Sequence, residues 1–401
     1  MQQPVCHLIK ALDYSPEETT IVSSNPADKY IAPNGQPISA SLIQPPPLPQ
    51  PGAMDTRSYG TGDTSNDNNK PMNVKQGAEL IGQALAQVQR VIVGQEHLVE
   101  QLMVGLLAKG HILLEGVPGT AKTLAVSTFA KVVGGRFARI QFTPDLVPSD
   151  IVGTRIYSMS KETFDVELGP VFVNFVLADE VNRAPAKVQA AMLEVMAEKQ
   201  VSIGGTTYPM AQPFIVIATQ NPVESEGVYP LPEAQRDRFM LKVDVPYPKG
   251  NEEFEILRRM SIKPPEADQV LDPDKTIQLQ DLASNVFVHN LVAEYIVRLV
   301  MATRNPADFG MPDLTKVISI GASSRATLGL TQAARALALI HGRDYVLPSD
   351  VQAVARDVMA HRVTLSFDAI ADNIPTLQVV ERILAMVPAP TPVWNANQPR
   401  R

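Results

Sequence analysis

Five short runs constrain this chain more than any other feature: HILLEG (111–116), RFARIQF (136–142), VFVNFVLAD (171–179), FIVIAT (214–219) and MLKVDV (240–245). Each is strand-sized, and several are apolar at nearly every position. A strand apolar on both faces has to be covered on both, which a parallel sheet flanked by helices achieves and a sheet with one wet face does not. Helical patterns at 123–133 and 185–199 fall between the runs, as expected of an open α/β sheet. The sequence therefore predicts a parallel five-stranded α/β core.

The rest of the chain arranges itself around that core. Amphipathic helices are expected at 76–91 and 96–108, and two β-hairpins at 154–168 and 199–210, the second turning at Gly204-Gly205. Beyond Tyr247 the strand pattern stops and helices are expected at 252–260, 286–304, 324–340 and 350–360. Ser349 with Gln352 three residues on reads as a capping box starting the last of these. The boundaries that follow are a core over 73–247, a smaller all-helical domain over 248–364, and a C-terminal helix (376–386) with a tail over 365–401. Residues 1–72 read as a disordered tail. The chain has 34 prolines and only 5% aromatics, and Pro45, Pro46, Pro47, Pro49 and Pro51 lead into a polar run at 61–70 that cannot bury enough apolar area to offset ordering. A proline-rich docking ligand is the alternative, but no arginine flanks the cluster.

The strand at 111–116 runs straight into GVPGTAKT (116–123) and then a helix. Backbone N–H groups of such a loop and the helix N-terminus cradle phosphates, Lys122 reaches the β- and γ-phosphates, and Thr123 ligates Mg²⁺. The strict phosphate-loop pattern has glycine where this chain has Ala121. The strand at 171–179 ends in Asp179-Glu180, which at the carboxyl end of a parallel strand suits an aspartate holding Mg²⁺ and a glutamate polarising the attacking water. The next strand ends in Gln220-Asn221-Pro222. The Asn221 amide either orients water or a γ-phosphate oxygen, or is simply a turn residue before proline.

Other chemistries are poorly supported. One cysteine, Cys6, excludes a disulfide framework within one chain. His111 and His361 have no second ligand at a useful spacing and are expected to be core or surface residues. Neither a Ser/His/Asp constellation nor a raised-pKa carboxylate pair can be argued from residue order. No apolar stretch approaches a membrane span, and the start of the sequence lacks a basic-then-apolar leader, so a cytoplasmic location is expected.

Together these residues resemble the MoxR family of AAA+ ATPases. The resemblance rests on GVPGTAKT, GPVFVNFVLADEVNRAP (169–185), ATQNPVESEGVYPLPEAQRDRF (218–239), GASSRA (321–326) and GRDYVLPSDV (342–351), which span about residues 75 to 365 in the family's order. The family also commonly has alanine before the phosphate-loop lysine. The resemblance implies a P-loop AAA+ core followed by a helical lid. It assigns ATP to Gly116, Val117, Pro118, Gly119, Thr120, Ala121, Lys122, Thr123 and Leu124, with Val93 and Gly94 upstream on the adenine, and Mg²⁺ to Thr123 and Asp179. Glu180 and Asn221 become catalytic. Arg238 matches the arginine finger that acts in trans on the neighbouring subunit's nucleotide, although Arg236 stands where a leucine is usual, leaving two candidates. Arg325 matches the second sensor on the lid. The two hairpins would face the pore or one rim of a ring, with Tyr157, Met159 and Phe164 as candidate client contacts.

The function implied is an ATP-driven remodelling machine. It would be a homo-oligomeric, hexameric ring that assembles, activates or inserts a cofactor into a protein client, alongside a partner with a von Willebrand factor A domain. A DNA-translocating motor is the alternative, since helicase relatives share the hairpins. Net charge −7, and a first hairpin carrying Lys161 but also Glu162, Asp165 and Glu167, argue against phosphate tracking and for no nucleic-acid partner. A scaffold without turnover would leave Glu180 without a purpose.

Overall fold

The computed structural model describes residues 72–222, 227–261 and 265–391. The expected tail with its proline cluster lies outside them apart from Met72, as does the chain beyond residue 391. The described chain opens with α1 (Val74–Val91) and α2 (Glu96–Leu107). An α/β core follows: β1 (Ile112–Glu115), α3 (Lys122–Val133), β2 (Phe137–Gln141), α4 (Pro148–Val152), the hairpin β3 (Gly153–Ser158) and β4 (Thr163–Leu168), β5 (Phe175–Asp179), α5 (Ala186–Glu198), the hairpin β6 (Gln200–Ile203) and β7 (Thr206–Pro209), β8 (Ile215–Gln220), α6 (Glu233–Arg236) and β9 (Leu241–Asp244). The lid comprises α7 (Gly250–Met260), α8 (Pro273–Asn285), α9 (Asn290–Arg304), α10 (Leu314–Val317), β10 (Ile318–Ile320), α11 (Ser324–Ile340), α12 (Pro348–Met359), β11 (Thr364–Leu365), α13 (Phe367–Ala371) and α14 (Thr376–Met386).

The sheet has the order β2-β5-β8-β1-β9, and every neighbouring pair is parallel. Its burial follows the two-faced apolar pattern. Ile112, Leu114, Phe175, Leu177, Ile215 and Ile217 point into one cluster with α1, α2, α3 and the lid helices. Leu113, Ile140, Val176, Ala178, Val216 and Ala218 point into another with α5 and the second hairpin. This order places the carboxyl end of β8 between those of β1 and β5, with Glu115 opposite Gln220 and Gln141 opposite Asp179. The loops after four strands thus open on one crevice.

Several expectations are corrected. The strand expected at 171–179 begins only at Phe175, because the buried Asn174 side chain accepts from Arg136 N–H (3.0 Å) and donates to Pro213 O (3.0 Å), tying together the approaches to three strands. The helix expected from Val286 begins at Asn290, after an extended stretch in which Phe287 bridges Tyr345. Asp350, not the Ser349–Gln352 pair, caps α12 by accepting from Leu347 N–H at 2.8 Å. The lid is not wholly helical, since β10 and β11 pair antiparallel. Val379, Val380 and Ile383 of α14 are buried in the cluster that includes the lid helices, so packing continues past residue 364.

Both hairpins form where expected. Gly204 and Gly205 turn the second with φ of 60° and 88°. A Cβ on Gly204 would lie 1.9 Å from Arg155 Cδ, so the first hairpin rests on that turn. Tyr157 and Phe164 stack edge-on at 5.2 Å and remain exposed, as does Met159.

His111 is a core residue. Its Nδ1 accepts from Val216 N–H (2.9 Å) and its Nε2 lies 3.1 Å from Met196 O, an arrangement that suits the neutral ring. Burial lowers its pKa from 6.5 to about 4. Below pH 6.5 the unfolded chain takes up a proton that the folded protein refuses, so this contribution is complete above pH 6.5 and is lost as pH falls toward 4. Each pH unit in that window costs about 1.4 kcal/mol. Measured by urea unfolding, His111→Gln should lose about 2 kcal/mol less than the wild type between pH 7 and pH 5. Equal losses would show that another group titrates. His361 is also buried and bonded to Phe239 O at 3.0 Å. Among the described residues no cluster of three or more His, Cys, Asp or Glu side chains could hold a metal.

Candidate active site

At the carboxyl ends of β1, β5 and β8 lies a cavity of about 430 Å³, lined by residues 118–124, Arg139, Asp179, Glu180, Thr219, Gln220 and Asn221. The loop from Gly116 holds its shape through Gly119 (φ 86°) and Ala121 (φ 59°), both left-handed. Ala121 keeps that conformation at a cost of about 1 kcal/mol relative to glycine, and the first N–H groups of α3, which no helical turn can satisfy, follow directly after it. Lys122 Nζ donates to Gly116 O and Val117 O, both at 2.7 Å, so the ammonium is folded over the loop that precedes it. Burial lowers its pKa, opposed by the charges of Asp179 and Glu180.

Asp179 is buried and well partnered. Oδ1 accepts from Thr219 Oγ1 at 2.5 Å, while Oδ2 accepts from Arg139 Nε at 2.9 Å and lies 3.4 Å from Thr123 Oγ1. Thr219 also accepts from Glu180 N–H at 2.8 Å, so β8 fixes both acids from the side. Glu180 has a left-handed backbone (φ 57°), a conformation uncommon for a non-glycine residue and one that turns its carboxylate out of the sheet line. Its Oε2 accepts from Gln141 Nε2 at 2.9 Å and lies 3.0 Å from Arg183 Nε. Arg139 also bonds Gln141 at 2.8 Å, linking the two acids through neighbouring groups of β2. Hydroxyl and buried carboxylate oxygens side by side are the hard donors Mg²⁺ prefers, so Thr123 and Asp179 fit that ion.

Of the residues expected at the site, this cavity gathers residues 118–124, Asp179, Glu180 and Asn221. Gly116 and Val117 enter it only as acceptors for Lys122. Val93 and Gly94 do not line it: Gly94 packs on Glu252 of α7, where an added Cβ would come within 2.7 Å, and Gln95 Nε2 donates to Pro246 O at 2.9 Å. Arg238 lies outside the lining, donating to Leu193 O of α5 at 3.0 Å. Arg325 is also outside the lining; its Nη1 donates to Asp237 Oδ2 at 3.1 Å. Sequence reasoning passed over Arg139, Gln141, Thr219 and Arg183. The roles of Arg139, Gln141 and Thr219 depend on which strand neighbours which, whereas Arg183 meets Glu180 from only three residues along the chain, a spacing the sequence did show.

This sheet order, with a phosphate loop after β1 and an acid pair after β5, defines a P-loop ATPase core carrying a lid. The description "ATPase family associated with various cellular activities (AAA)" matches residues 111–241, and "AAA lid domain" matches residues 315–383. The chain is 60% identical to Chaperone MoxR1 of Mycobacterium tuberculosis over 77% of its own length and 81% of that protein's. It is 33% identical to Protein MoxR of Paracoccus denitrificans, over 71% and 88% of the two chains. A solved structure from Cytophaga hutchinsonii, 47% identical, superposes with a TM-score of 0.75 over 79% of this chain and 97% of that one. The chain belongs to the MoxR family of AAA+ ATPases.

Proposed function

We propose that this protein hydrolyses ATP as a homo-oligomeric, hexameric ring and uses the resulting motion to remodel, activate or insert a cofactor into a protein client. The observation that carries this reading is the single cavity in which Lys122, Thr123, Asp179 and Glu180 converge. In it the loop N–H groups and Lys122 bind the phosphates, and Glu180 orients the attacking water and takes its proton. Mg²⁺, when bound, neutralises charge on the β- and γ-phosphates. Asn221, beside Gln220 in the same lining, orients water or a γ-phosphate oxygen. Arg238 completes the neighbour's site, and Arg325 reaches the γ-phosphate when it leaves Asp237.

A chaperone-like role is supported by the name of the M. tuberculosis relative. The exposed Met159, Tyr157 and Phe164 on the first hairpin are suited to gripping an unfolded segment. A von Willebrand factor A domain partner and a cytoplasmic location belong to the same reading. No described helix is long and apolar enough to cross a membrane. The purified protein should release phosphate from ATP only with Mg²⁺, at a rate per subunit that rises with protein concentration as rings assemble. Single- or double-stranded DNA, added across a range of salt, should not change that rate. Stimulation by DNA that fades with salt would instead support the translocating motor.

A further inference from the structure

The segment between the two candidate finger residues is held by the lid of its own subunit. Asp237 lies between Arg236 and Arg238. Its Oδ1 accepts from Arg362 Nε at 2.8 Å, and Oδ2 from Arg325 Nη1 at 3.1 Å. Ser323 Oγ, the N-cap of α11, lies 3.1 and 3.0 Å from the two oxygens. Arg362 follows α12, and its side chain is only 2% exposed. Burial lowers its pKa to about 10, so it remains a cation at neutral pH. Besides the carboxylate, its guanidinium donates to the carbonyls of Asp237 (3.2 Å), Phe239 and Met240 (2.9 Å). His361 adds a contact to Phe239 O. One buried lid guanidinium thus fixes the backbone on both sides of Arg238, whose own side chain reaches across to α5.

A lid–core clamp alone needs no carboxylate at this particular position. Here the clamp closes on the residue next to the finger, and it shares that residue with Arg325, the lid arginine assigned to the γ-phosphate. We propose that Arg362 and Asp237 are positioning residues that set how Arg238 is presented to the neighbouring subunit, so that lid position in one subunit controls hydrolysis in the next. When Arg325 leaves Asp237 for its own subunit's nucleotide, the carboxylate loses one of its two guanidinium partners and the finger segment is held by Arg362 and Ser323 alone. The inference rests on the ATPase reading and on Arg238 as finger.

The test exploits the direction of action. Asp237→Asn combined with Arg362→Met removes both charges together and leaves no lone charge buried. Rings of this double variant should bind ATP within about threefold of wild type by calorimetry yet hydrolyse it at least about tenfold more slowly. The double-variant subunits have intact pockets, so mixing them equally with Lys122→Ala subunits should restore hydrolysis. In a random ring about a quarter of interfaces join a working pocket to an undisturbed finger. Ser323→Gly removes one hydroxyl from Asp237 together with the cap bond to Arg325 N–H, puts in its place a residue that N-caps tolerate, and should give a smaller loss that is rescued in the same way. It also keeps the test open if the double variant fails to fold. Absence of rescue for both variants, in mixtures where Arg238→Ala is rescued, would show that Asp237 and Arg362 act within their own subunit and would overturn the proposal. Failure of Arg238→Ala itself to be rescued would instead remove the finger assignment on which the inference stands.

Discussion

Glu180→Gln should bind ATP as the wild type does while steady-state hydrolysis falls by about 10²- to 10⁴-fold, the usual contribution of a positioned general base. Glutamine has the same shape, so nothing that places the residue needs to change. The left-handed backbone at 180 and the bond from its N–H to Thr219 both survive. The side-chain oxygen can still accept from Gln141, so the network around β2 is preserved. What is lost is an acceptor basic enough to take a proton from water. In the present arrangement Gln141 and Arg183 both meet Glu180 Oε2 and hold the carboxylate from one side. The amide variant should therefore stall with ATP bound and hold its partners longest in a pull-down. Calorimetry for binding and phosphate release for turnover separate the two effects. Undiminished hydrolysis would take Glu180 out of the reaction.

Much of this site was legible in the sequence because its parts are local. A phosphate loop is eight consecutive residues between a strand and a helix, and the acid pair ends a strand whose burial is visible in its composition. The register that places Gln141 opposite Asp179 is not local: it requires knowing that β2, rather than β1, neighbours β5. Without that neighbour, Arg139 and Gln141 are only two polar positions in a strand-sized run. The helix α8 was missed although its start signal is present, since Asp272 caps it by accepting from Lys275 N–H at 2.8 Å and Pro273 follows. Its apolar stripe is weak, and a periodicity argument passes over it. Arg362 had no motif at all. A lone arginine after a helix is surface by default, and only the fold brings the carbonyls of Asp237, Phe239 and Met240 around it.

The hybrid-ring experiment with Arg238 makes the second large claim. Arg238→Ala subunits should bind ATP with near-normal affinity, because the residue is not part of the cavity lining and its side chain reaches Leu193 O instead. Their hydrolysis should fall by about 10³-fold or more, the worth of an arginine that neutralises transition-state charge. Lys122→Ala subunits fail for the opposite reason. They present Arg238, but their pocket has lost the ammonium that meets the phosphates, and removing it should abolish most ATP affinity. Neither variant should work alone, and only one polarity of contact between them should fire: the intact pocket of Arg238→Ala against the intact finger of Lys122→Ala. Equal mixtures should recover up to about a quarter of the wild-type rate if subunits assort at random in a closed ring. Recovery should vanish when the two proteins are kept from exchanging subunits. The flanking Arg236 provides the internal control: its Nε is buried and meets no acceptor among the described residues, which makes it a poor candidate to reach across an interface. If verified mixed rings stay inactive, or if Arg236→Ala shows the rescue that Arg238→Ala lacks, the finger belongs to another residue.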